Sequence, residues 1–110
     1  MRVAAVQAGS IAFDTEATIR KLEQIVAEAA AQGARLIVFP EAFVGGYPKG
    51  HSFGAVVGSR TEDGRDWFRR YYDGAIDLPG PEANRLGEVA KNHEVTLAVG
   101  LIERDGGTLY

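Results

Sequence analysis

The chain has 110 residues, 45 % hydrophobic and 25 % charged, the composition of one small folded domain. A net charge of −3, with basic residues scattered among acids, argues against a nucleic-acid surface; the absence of cysteine removes disulfides, thiolate metal sites and a thiol nucleophile from these residues. No apolar run reaches the length a bilayer needs and MRVAAVQAG lacks the apolar core of a signal peptide, so a cytoplasmic location without a membrane partner is the default expectation.

Val3–Ala8 is a short apolar run ending at Gly9 and predicts a buried strand. Asp14 or Thr15 can cap a helix that starts at Glu16, because a side-chain oxygen there accepts from the free N–H groups of the first turn. Ile19, Leu22, Val26, Ala29 and Ala30 recur on one face of that helix, and Gly33 supplies a left-handed residue to end it. Arg35–Phe39 reads as a second strand, halted by Pro40. Strand, helix and strand at this spacing make a crossover unit with parallel pairing.

Thr61–Asp73 predicts a short helix with Gly64 weakening its first turn. Its acids come early and Arg69 and Arg70 late, which suits the helix dipole. Trp67, Phe68, Tyr71 and Tyr72 form an aromatic stripe, read as packing on the sheet or on a partner chain rather than as a base-stacking platform. Arg20-Lys21 and Arg69-Arg70 read as solvated helix faces. Leu78-Pro-Gly-Pro81 opens a third helix, with Pro81 where its missing N–H costs nothing, and Asn92-His93 can end it. Val95–Ile102 is a near-continuous apolar run, as in a strand covered on both faces. Asp105-Gly106-Gly107 predicts a hairpin turn, with Thr108–Tyr110 beginning another strand. His51 and His93 lie far apart in sequence, and no metal or other cofactor is expected.

FPEAFVGGYPKGHS, residues 39–52, combines glycines with a lysine and a serine and invites a phosphate-loop reading. The spacing rejects it. Gly45, Gly50 and Ser52 fit G-x-x-x-x-G-K-[ST], but the lysine falls at 49, His51 takes its place, and Pro48 removes a backbone N–H. Phe53–Gly58 is a poor helix start, so the dipole a phosphate needs is missing as well. Glu41, just beyond an apolar strand, stands where open α/β sheets present catalytic groups. Crowding by Phe39, Phe43 and Tyr47 would raise its pKa toward the range of a general base.

Val3-Ala-Ala-Val-Gln7, Gly33-Ala-Arg-Leu-Ile-Val-Phe-Pro-Glu-Ala-Phe43 and Gly45-Gly-Tyr-Pro48 resemble the beginning of the nitrilase family of carbon-nitrogen hydrolases. Phe68–Tyr72, Leu78-Pro-Gly-Pro-Glu82 and Gly100-Leu-Ile-Glu103 follow in order. Gly-Gly-Tyr-Pro-Lys-Gly with the tyrosine-bearing helix is most similar to the nitrile-hydrolysing branch, and fits the amidase and carbamoylase branches less well. The resemblance implies an α/β fold, the N-terminal part of a four-layer α-β-β-α sandwich, with residues 1–110 one partial domain. It implies a Cys-Glu-Lys triad that turns a nitrile into a carboxylic acid and ammonia, with Glu41 as general base and Tyr47 lining the substrate pocket, or else a packed loop anchor. The triad's cysteine and lysine are not matched here, and neither Lys49 nor Lys91 sits in the family's lysine motif. The chain alone is therefore expected to be inactive. It also implies a homo-oligomer, dimer or spiral, or a complementing C-terminal part. The alternatives are a non-catalytic assembly or interaction module and one piece of a split enzyme.

Overall fold

Three runs rich in apolar residues extend and pair side by side in the computed structural model, which describes residues 1–47 and 61–110. They are β1 (Arg2–Ala5), β2 (Ala34–Val38) and β3 (Thr96–Ala98), all parallel, in the order β1-β2-β3. Val3 lies opposite Leu36 and Leu36 opposite Thr96; Val38 likewise joins Ala5 to Ala98. Helix α1 (Thr15–Ala31) makes the first crossover, while α2 (Glu62–Asp73) and α3 (Pro81–Asn92) lie in the second connection.

Side chains alternate across each strand, so the sheet has two distinct faces. Ile37 and Phe39 form one, with Ala4, Val6, Leu97 and Val99 beside them, and pack with Ile19, Leu22 and Val26 of α1 and Leu86 and Val89 of α3. The other face is apolar and open to solvent among the described residues: Val3 is 52 % exposed, Val38 is 39 % exposed, and Ala5, Thr96 and Ala98 are exposed. The strand order advances in one direction, and crossovers of a single hand then put their helices on the same side. The expectation that Val95–Ile102 is covered on both faces is thus corrected. That run is also not one strand. Beyond Ala98 it steps across to bridge Val44 at Leu101 and Ile76 at Glu103.

The helix ends follow local chemistry. Asp14, rather than Thr15, caps α1 by accepting from the Ala17 N–H at 2.9 Å, and Gly33 at φ +90° closes its far end. Thr61 caps α2 through the Gly64 N–H at 3.0 Å. Pro81 takes the first turn of α3 and His93 its C-cap, as the sequence predicts. The next residue, Glu94, is left-handed at φ +53°, and the N–H groups of Glu94 and Val95 close back on Lys91 and Ala90.

Arg85 of α3 clamps α1, bonding Glu23 at 2.6 Å and Glu16 at 2.7 Å. That hydrogen bond, helped by the charges of Arg85 and Arg20, holds the Glu16 carboxyl below the usual carboxylate range. Arg20 pairs with Glu16, and Arg69 and Arg70 with Asp66, so these three arginines lie on exposed helix faces, while Lys21 is half-buried and donates to the Gly9 carbonyl at 2.6 Å. Two members of the stripe on α2 meet loops. Trp67 stacks 5.4 Å from Phe13, and the Tyr72 hydroxyl donates to the Gly106 carbonyl. That carbonyl belongs to the expected hairpin, β4 (Arg104–Asp105) and β5 (Thr108–Leu109), which turns on Gly106-Gly107. Arg104 ties it to α2 by donating to the Tyr72 carbonyl at 3.1 Å and stacking over that ring, and to the following loop by bonding Asp77 at 3.0 Å.

Candidate functional site

Glu41 owes its position to the end of β2. The Phe39 N–H makes a last ladder bond to the Ala98 carbonyl at 2.8 Å, and Pro40 then has no N–H to continue the ladder. The chain turns through Glu41, Ala42 and Phe43, with Ala42 left-handed at φ +51°. Phe43 and Val44 drop back into the core, and the Phe39 and Phe43 rings pack 5.1 Å apart beneath the turn. The Val44 N–H donates to the Gly100 carbonyl at 3.1 Å and the Ile102 N–H to the Val44 carbonyl at 2.8 Å. The turn is pinned at both ends, and its carboxylate stands at the C-terminal edge of the central parallel strand.

That carboxylate is exposed. The crowding expected from Phe39, Phe43 and Tyr47 does not occur within the described residues. The two phenylalanines serve the core below the turn, and Tyr47 has 70 % of its surface exposed.

Gly45 and Gly46, at φ +107° and +83°, carry the chain from Val44 to Tyr47. Pro48, Lys49, Gly50, His51, Ser52 and the following Phe53–Gly58 lie outside the described residues. Two further segments reach this loop. A side-chain carbon on Gly46 would sit 3.3 Å from the Ser10 hydroxyl, which places the 9–13 loop against it. Tyr71 of α2 is buried; burial pushes its phenol above the ordinary value, and the nearby Tyr47 phenol adds to this. Glu41 and Tyr47 thus share one loop at the sheet's edge, with Ser10 and Tyr71 flanking it.

Ser10, Tyr71 and Gly100 were not legible as neighbours of the site. Only Gly100 carries a local signal, since an isolated glycine inside an apolar strand run marks close backbone approach. Among the described residues no cluster of His, Asp or Glu could hold a metal ion, and no helix is long and apolar enough to cross a membrane.

Residues 2–110 match the carbon-nitrogen hydrolase family. The chain belongs to that family. Among curated proteins, this carbon-nitrogen hydrolase chain is 54 % identical over 110 residues to the bifunctional nitrilase/nitrile hydratase NIT4B of Nicotiana tabacum, covering all of this chain and 32 % of that protein. It is 52 % identical to nitrilase 3 of Arabidopsis thaliana, with the same coverage. To the aliphatic nitrilase of Sinorhizobium fredii (strain HH103) it is 51 % identical over 109 residues, 99 % of this chain and 35 % of that one. The carbon-nitrogen hydrolase chain therefore spans about a third of the length of these relatives.

Proposed function

We propose that this chain is the N-terminal part of a nitrile hydrolase and contributes Glu41 as its general base. The observation that carries the reading is a carboxylate on a doubly pinned turn at the C-terminal end of the central parallel strand, in a chain about half identical to nitrilases. In the reaction, a cysteine from outside these residues attacks the nitrile carbon, and its proton passes by way of Glu41 to the nitrile nitrogen, giving a thioimidate. Water adds to the thioimidate carbon, both of its protons reach the nitrogen by way of Glu41, the C–N bond breaks, and ammonia leaves a thioester. A second water releases the carboxylic acid and regenerates the thiol. Tyr47 lines the substrate pocket from the same loop. The family's lysine also comes from outside these residues and stabilises the charge that develops on the substrate.

The tobacco relatives are named as both nitrilase and nitrile hydratase. We extend that pairing to this chain as a second product: if the tetrahedral intermediate expels the thiol instead of ammonia, the amide is released.

The bare apolar face of the sheet supports a four-layer α-β-β-α sandwich. The described residues form one helix layer and one strand layer, and the exposed Val3, Ala5 and Val38 suit the inner face of a second sheet. Burying that face beneath the rest of the enzyme also brings in what desolvates Glu41. Assembly into a dimer or spiral is part of the same proposal.

Joining residues 1–110 to the cysteine- and lysine-bearing remainder of the tobacco relative tests it. The fusion should release ammonia from a nitrile, and Glu41→Gln should lower that rate by about 10²–10⁴-fold. The 110-residue chain alone should release none. Full activity in Glu41→Gln, or Glu41-dependent ammonia release by the chain alone, would refute the assignment.

A further inference from the structure

We propose that Gly100 is a positioning residue for the Glu41 carboxylate. A side-chain carbon built on Gly100 falls 2.5 Å from the Ala42 nitrogen, 2.5 Å from the Pro40 carbonyl oxygen and 2.7 Å from the Glu41 Cα. All three are backbone atoms, so no rotamer change relieves the contact. Nor is glycine needed here for its dihedral freedom, since Gly100 is not among the glycines with positive φ. What it supplies is space, at the back of the one turn that carries the carboxylate.

Ordinary contact begins at 3.4 Å, so any side chain at 100 requires the turn to retreat by about 1 Å, a displacement that can cost about 10²-fold when it falls on a catalytic group. The retreat has few places to go. Phe43 and Val44 are fully buried, Val44 is bonded to Gly100 and Ile102 on the neighbouring run, and Ala42 already occupies the left-handed region. Phe39 is bonded to Ala98 on the other side. The displacement therefore falls on Pro40, Glu41 and Ala42. Gly87 and Gly107, by contrast, have nothing within 4 Å of an added carbon.

The kinetic consequence rests on Glu41 being the base; the positioning itself does not, and the two are read separately. In the unmodified chain, NMR should show a strong Gly100 Hα to Glu41 Hα cross-relaxation contact, and its absence overturns the proposal. With the Glu41 carboxyl labelled by ¹³C, Gly100→Ala should move its signal, whereas Gly87→Ala should leave it unchanged. In the fusion enzyme, Gly100→Ala should lower kcat by about 10²-fold with KM within a few-fold, and should move the acid limb of the pH profile. A folded Gly100→Ala protein with an unmoved Glu41 signal overturns the positioning role. A moved signal in a fusion whose Glu41→Gln variant keeps full activity upholds the positioning role and removes the base assignment instead. If Gly100→Ala does not fold, the contact in the unmodified chain decides.

Discussion

Gly45→Ala should be among the most destabilising single-carbon additions available to this chain. Gly45 has φ +107°, well past the left-handed helical well near +60°, and a residue with a side chain held there costs about 1–3 kcal/mol. The added carbon also meets Ile102 Cβ and Cγ1, both at 2.9 Å, and relieving such overpacking costs about 1–3 kcal/mol more. Together the loss is about 2–6 kcal/mol, against a total of about 5–15 kcal/mol for a small domain. Urea unfolding followed by circular dichroism measures it, with Gly106→Ala as the control. Gly106 has φ +58° and open space around it, so its variant carries only the dihedral part, about 1–2 kcal/mol. Adding Ile102→Ala removes the Cγ1 half of the collision and leaves the Cβ contact, so the double variant should lose about 0.5–1 kcal/mol less than the two single losses combined. A Gly45→Ala variant as mild as Gly106→Ala, or strictly additive with Ile102→Ala, would refute both the geometry and the reasoning.

Other expectations are simpler. Ile37, wholly buried at the centre of β2, should cost about 2–5 kcal/mol as Ile37→Ala in the same denaturation assay. Glu94 occupies the left-handed position after α3, so Glu94→Gly should raise stability by about 1 kcal/mol, seen as a higher midpoint with an unchanged denaturant slope. Arg85 lowers the pKa of Glu16 and Arg104 that of Asp77, both through hydrogen bonds first. Their stabilisation is complete above the unfolded carboxylate range of about 4 and is lost as pH falls through the lowered folded values. Thermal midpoints measured down an acid series should fall, and less steeply in Arg85→Met and Arg104→Met. Val38→Asp should cost the 110-residue chain only about 1 kcal/mol, because Val38 is partly exposed there, but should destabilise the fusion enzyme far more if a second sheet covers that face.

Much of the local structure was legible because its causes are local. Asp14, Gly33, Thr61 and Pro81 act on their own helix ends within a few residues, and Gly106-Gly107 needs only its flanking strands. The apolar period of α1 named its buried face for the same reason. Val95–Ile102 misled because an apolar run reports hydrophobicity and not which partner covers it. Its continuation past Ala98 is decided by Val44 and Ile76, each distant in sequence.

The carboxylate shows the same division. Its residue type and its place after Phe39-Pro40 follow from sequence, since a proline that lacks an N–H ends the ladder wherever the strand is central. That Glu41 is held on a turn bonded through Val44 to Gly100 and Ile102, with Ala42 left-handed and no room behind it for a side chain at 100, arises from segments about 60 residues apart. Those contacts exist only once the chain has folded. They are steric, and no propensity of Glu41, Ala42 or Gly100 taken alone encodes them.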